Sequence, residues 1–110
     1  MQRRAVFGLF LLPLARGQGT CAPTPALPQG PHDLRDVPQR EDLREGLPGV
    51  PLRLLLRVRD RACRPLQGAR VDLWHTDALG RYSGVNAPGT FCRGWQATDE
   101  RGEVAFLTLF

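Results

Sequence analysis

The feature that most constrains this chain is the strict alternation that begins after Pro51. Leu52, Leu54, Leu56 and Val58 occupy every second position, with Arg53, Leu55, Arg57 and Arg59 between and after them. A period of two places the first set on one face of an extended strand and mostly guanidinium groups on the other. Asp60, Pro65 and Gly68 then supply turn chemistry, and a second alternation sets Ala69, Val71 and Leu73 against Asp72 and Trp74. After a loop punctuated by Gly80, Gly84 and Gly89, residues 90–99 form a shorter and less regular extended piece. Asp99-Glu100-Arg101-Gly102 reads as a tight turn, beyond which Val104, Phe106 and Thr108 alternate with Ala105, Leu107 and Leu109.

Strands at this spacing, separated by Gly, Pro and Asp turns and with no βαβ interval, predict an all-β fold. The expected architecture is an antiparallel β-sandwich over residues 51–110, its two sheets burying their aliphatic faces against each other. The last strand reaches Phe110 without a closing turn, so the sandwich is expected to be incomplete at the C-terminus. Each ordered residue costs roughly 1–2 kcal/mol of backbone entropy. A half-sandwich is therefore marginal alone, and further strands or an intimate partner are expected.

Residues 21–50 differ in kind. They are rich in Pro and Gly and carry almost no periodic apolar pattern, which predicts an extended arm or long loop with at most one helical turn near residues 40–45. His32 lies in this arm with no second ligand at useful spacing and reads as a solvated loop histidine.

Residues 1–20 have the layout of a secretory signal. An apolar run over residues 5–15 follows Arg3 and Arg4, precedes a polar stretch, and is too short to span a bilayer as a helix. The adjacent arginines followed closely by Val6-Phe7 match a twin-arginine leader, with an ordinary signal peptide as the alternative. The chain is expected to be exported, periplasmic or secreted. A lipid anchor on Cys21 is disfavoured, because no apolar residue stands three positions before it.

The formal charge is +4, and every basic residue is Arg, with no Lys and no Ile in the chain. That absence reflects a GC-rich coding bias. Setting aside Arg3, Arg4 and Arg16 of the leader lowers the charge to +1, which removes most of the support for a nucleic-acid partner.

Three cysteines in an exported chain, Cys21, Cys63 and Cys92, imply one disulfide and one odd thiol, or three free thiols. Spacing does not fix the pairing. The favoured one is Cys21 with Cys63, tying the arm to the turn after the first strand. Cys92 lies in an alternating apolar segment, where a small buried residue is expected. No C-x-x-C pair, G-x-S-x-G elbow, phosphate-cradling Gly loop or H-E-x-x-H helix is present, so structural zinc and Ser or Cys triads are unsupported. His75 and Asp77 stand too close in sequence to read as a catalytic dyad, and His75 reads as a hydrogen-bonded structural residue.

The run VDLWHTDALGRYSG, followed by TFCRGWQATDERGEVAFLTLF, resembles the intradiol ring-cleavage dioxygenase family, particularly its exported bacterial members. Val71-Asp72-Leu73, six residues, then Gly80-Arg81-Tyr82 meets that family's pattern. Cys21 with Thr24-Pro25, Gly30-Pro31, Pro65 with Gly68-Ala69, Thr90-Phe91 with Arg93-Gly94, and Thr98-Asp99 with Gly102 are similar too. The resemblance implies a β-sandwich holding a non-haem ferric ion, Fe(III), through two tyrosines and two histidines. It implies cleavage of a catechol-type aromatic diol by O2 between its hydroxylated carbons. One ligand carries over, Tyr82, expected as metal ligand and as catalytic residue taking up a substrate proton. The second tyrosine and the His-x-His pair have no counterparts in the sequence, and His32 and His75 do not replace them. Arg93, Trp95 and Trp74 are expected in the sandwich and pocket walls, and nothing assigns chemistry to Asp72. One tyrosinate does not make a four-ligand site, so the 110-residue chain by itself is expected to be inactive. The alternative reading is a non-catalytic extracellular β-sandwich, a binding or surface module.

Overall fold

The computed structural model describes residues 21–110. The leader assigned to residues 1–20 lies outside the described residues. Four strands follow in order, β1 (Pro51–Arg57), β2 (Arg70–Trp74), β3 (Arg93–Ala97) and β4 (Glu103–Leu109). They pair antiparallel into two two-stranded sheets, β1 with β4 and β2 with β3. No helix occurs among the described residues, and none there is long and apolar enough to cross a membrane. The all-β sandwich expected from the alternation is the observed fold.

Its core shows why the period of two mattered. Leu54 of β1 and Val104 and Phe106 of β4 face Val71 and Leu73 of β2 across the space between the sheets. Phe106 is fully buried and Val104 nearly so. A second apolar cluster, Phe91, Cys92 and Leu109 with Leu47 and Ala87, fills the neighbouring end.

The arm is more than the loop its composition suggests, and no helical turn forms near residues 40–45. Between positions 38 and 43 its backbone is bonded to both sheets. Arg40 N–H donates to the Trp95 carbonyl and Trp95 N–H to the Pro38 carbonyl, both at 3.2 Å. Leu43 N–H then donates to the Leu107 carbonyl and Leu107 N–H to the Glu41 carbonyl, both at 2.9 Å. The side chain of Leu43 ends fully buried in the main cluster. Gly94 makes room for it, since a Cβ at position 94 would collide with a terminal methyl of Leu43. Three charge-assisted bonds from Arg40 reach the Arg93 carbonyl (3.1 and 2.9 Å) and the Thr90 carbonyl (2.7 Å), and its third nitrogen pairs with Glu45 at 2.7 Å. The physical reason is satisfaction of backbone groups: a proline-rich stretch too irregular for a strand still pairs its free N–H and C=O groups with two sheet edges.

The favoured disulfide is present. Cys21 is bonded to Cys63 across 42 residues of sequence, and in the loop-entropy model closing such a loop stabilises the fold by about 4 kcal/mol. Cys92 is the free thiol, fully buried, and burial pushes its pKa up.

The Leu43 and Gly94 contact gives a direct test. Leu43→Ala is expected to destabilise the chain by about 2–5 kcal/mol and Gly94→Ala by about 1–3 kcal/mol in urea unfolding. Because the smaller side chain vacates the space the new methyl needs, the double substitution should cost clearly less than the two single losses together.

Candidate functional site

Tyr82 is positioned by a turn built on one carboxylate. Asp77, near the start of the loop that leaves β2, accepts the backbone N–H of Leu79 (3.0 Å) and of Arg81 (2.9 Å) on one oxygen. Its other oxygen takes the Arg81 guanidinium at 2.8 and 2.6 Å. Gly80 closes the turn with φ of 79°, a left-handed conformation open to glycine at little cost. The Arg81 side chain, followed by the N–H bonds of Arg81 and Leu79, holds the Asp77 carboxyl below the usual carboxylate range.

The same turn recurs twice. Asp60 accepts from the N–H groups of Ala62 and Arg64, and Asp99 from those of Arg101 and Glu103. The residue three positions after each aspartate has positive φ: Cys63, Gly80 and Gly102. At Cys63 the disulfide half-cystine occupies the place glycine holds in the other two.

Beyond Asp77 the chain fastens Tyr82 from both sides. Tyr82 N–H donates to the Asn86 side-chain oxygen at 2.8 Å, and the N–H groups of Val85 and Asn86 return to the Tyr82 carbonyl at 3.3 and 3.2 Å. Ser83, fully buried, donates its hydroxyl to the Phe91 carbonyl at 2.6 Å. The Tyr82 ring is half-buried and packs on the ring of His32, centroid to centroid 4.3 Å with a tilt of 36°. Among the described residues its phenol oxygen has no hydrogen-bond partner, which leaves it available to a ligand.

His32 is therefore not the solvated loop histidine its position suggests. The arm folds back and lays it against Tyr82, a contact across fifty positions that no local pattern announces. His75 does behave as expected. Its Nδ1–H donates to the Thr76 carbonyl at 2.6 Å, and its Nε2 accepts from the buried Thr108 hydroxyl at 2.7 Å, so both nitrogens are committed. Asp72 pairs with Arg70, whose guanidinium lies 4.2 Å over the Trp95 ring. Asp77 was the residue missed. The signal was available in Asp77-Ala78-Leu79-Gly80-Arg81, an aspartate three positions ahead of glycine, repeated at Asp99 and Gly102.

Arg93 is buried to 2% exposure. Its Nε–H donates to the Ser83 carbonyl at 3.0 Å and its Nη1–H to the His32 carbonyl at 2.6 Å, while Nη2 is buried without a partner. Burial lowers its pKa, and the nearby Asp33 carboxyl and Tyr82 phenol push it back up.

A ferric centre needs several hard donors converging on one point. Tyr82 is the one tyrosine in the chain. Among the described residues no group of three or more His, Cys, Asp or Glu side chains is arranged to hold a metal ion. The described residues do not amount to a ferric site.

Residues 24–110 match the family described as Dioxygenase. In structure the chain is similar to an intradiol ring-cleavage dioxygenase from Tetranychus urticae, with TM-score 0.77 and 33% identity over 82% of this chain and 51% of that one. It is also similar to the dioxygenase domain of a dioxygenase and carbohydrate-binding protein fusion from Streptomyces sp. SirexAA-E. There the TM-score is 0.72 and the identity 37%, over 80% of this chain and 56% of the other. Against the hydroxyquinol 1,2-dioxygenase of Pseudomonas putida DLL-E4 the TM-score is 0.72 at 33% identity, covering 78% of this chain and 32% of that one. The chain thus spans about half the length, 51%, of the Tetranychus urticae protein. No curated protein matches the sequence.

The Asp77 turn makes a pH prediction. A carboxyl whose folded-state pKa is depressed contributes stability that is complete above its unfolded value, roughly pH 4, and is lost as pH falls through the folded value. Asp77→Asn should lower stability at pH 7 and narrow its gap to the native chain as pH drops below 4 in acid-unfolding curves. A gap independent of pH would show that the carboxylate charge is not what fixes the turn.

Proposed function

The chain belongs to the intradiol ring-cleavage dioxygenase family, and from that premise we propose that it carries the scaffold and one iron ligand, Tyr82, of that family's catechol-cleaving site. The family reaction is cleavage of a catechol-type aromatic diol by O2 between its two hydroxylated carbons, using non-haem ferric iron and giving a muconate-type diacid. In this reading Tyr82 is a catalytic residue in the sense of a metal ligand. Phenols in general hold their proton to about pH 10 in water, and a bound cation would release it, as metals do for other coordinated groups. The observation that carries the proposal is the placing of Tyr82. A half-buried phenol without a hydrogen-bond partner among the described residues is held at a carboxylate-built turn, at the Gly-x-Tyr position of a sandwich matched over residues 24–110.

A second reading is a non-catalytic extracellular module on the same scaffold, and the donor count favours it: one phenol, and no metal-holding cluster among the described residues. Reading the gene past the codon for Phe110 separates the two. Pro-Gly-x-Tyr and His-x-His in frame or after a frameshift support the enzyme, and their absence supports the module.

Both readings expect the 110-residue chain, titrated with ferric iron, to develop no red-purple phenolate-to-iron charge-transfer band and to form no muconate from catechol and O2. A band together with product would contradict the donor count. Export, to the periplasm or beyond, is part of the proposal and rests on the leader pattern and on a disulfide, a bond that is characteristic of oxidising compartments and rare in the cytosol. N-terminal sequencing of the mature protein should begin near Cys21, and an intact Met1 in a reduced cytosolic protein would remove that part.

A further inference from the structure

We infer that Arg93 is a positioning residue for Tyr82, acting as a two-pronged clamp that fixes the arm and the tyrosine loop against each other. The inference rests on the reading of Tyr82 as the functional phenol for its importance, though not for its geometry.

Arg93 leads into β3 from the inside of the fold, where an apolar side chain would pack without cost. A buried guanidinium is expensive, since charge is removed from water and each unmatched N–H adds to the loss. Here one nitrogen, Nη2, is indeed buried and unmatched. The two bonds that offset this cost go to backbone carbonyls, and both carbonyls belong to segments that touch Tyr82. Ser83, the next residue in the chain, receives Nε–H at 3.0 Å. His32, whose ring packs on the Tyr82 ring, receives Nη1–H at 2.6 Å.

Fixing the His32 carbonyl fixes where its ring is presented. Fixing the Ser83 carbonyl fixes the peptide that follows Tyr82. The planar fork of Arg reaches both at once, which the single nitrogen of Lys does not. The clamp is supported in turn, because the Arg93 carbonyl is held by Arg40 of the arm at 3.1 and 2.9 Å. Two arginines thus lock residues 32–40 to the start of β3. The charge of the guanidinium also lies within the field of the Tyr82 phenol and of Asp33.

The test uses the fact that the chain has one tyrosine. In the 110-residue protein with isotope-labelled tyrosine, the ring protons of Tyr82 feel the ring current of His32, and His32→Ala gives the position they take without it. Arg93→Lys keeps the charge and loses the fork. It should move the Tyr82 ring resonances to the His32→Ala position while those of Phe106 and Leu43 stay at their native values. A folded Arg93→Lys protein whose Tyr82 resonances remain native would overturn the clamp and leave Arg93 a packing residue. If Arg93→Lys does not fold, the native protein decides. Through-bond couplings from Arg93 Nε–H to the Ser83 carbonyl and from Nη1–H to the His32 carbonyl are expected, with slow exchange of both protons. Free exchange without couplings would overturn the inference. None of these readouts involves iron, so failure of the clamp and failure of Tyr82 as a ligand are seen separately.

Discussion

The pairing of residues 38–43 with both sheets is the constraint on which the rest depends. Two two-stranded sheets offer little area to each other, and isolated hairpin-sized sheets are marginal in water. The arm supplies what they lack: a backbone bonded to Trp95 of one sheet and Leu107 of the other, and a leucine that enters their shared core. Gly94 is the complement of that leucine. The Cys21–Cys63 bond anchors the arm's far end beside the turn after β1, so the arm is held at its beginning by a covalent bond and at its end by hydrogen bonds and packing.

The same seating builds the site. With residues 38–43 in place, the preceding stretch runs past the mouth of the Tyr82 loop, and His32 meets Tyr82 while its carbonyl meets Arg93. One wall of the candidate site comes from the arm and the other from the turn that Asp77 organises. The chemistry available to the described residues is that of one presented phenol. Under the proposed reading that phenol is an iron ligand, the one member of its set found among the described residues.

The strands were legible because burial on one face imposes a period of two, and Leu54, Val71, Leu73, Val104 and Phe106 all lie where that period puts them. The Cys21–Cys63 pairing was the favoured one because it ties a loose arm to the turn after the first strand, although spacing alone did not fix it. The family was legible through linked motifs around Tyr82 rather than through any property of a lone tyrosine. Leu43 was not, since a single apolar side chain between Asp42 and Arg44 has no period. Its partner is the absence of a side chain at Gly94. His32 and Arg93 were illegible for a related reason: their bond joins a backbone carbonyl to a side chain 61 positions away, and backbone carbonyls carry no sequence signature. Asp77 could have been found, because the spacing of aspartate and glycine repeats at Asp99 and Gly102.

The most direct measurement of whether the arm is structural is amide hydrogen exchange at Arg40 and Leu43 in the native chain, compared with Leu107 and Trp95, their partners across the two sheets. If the arm is an integral part of the sandwich, all four amides should exchange slowly and by the same cooperative opening. Exchange at Arg40 and Leu43 as fast as in an unstructured loop, while Thr98 and Val58, whose N–H groups donate to the Ala69 and Gly102 carbonyls outside the arm, stay protected, would contradict it.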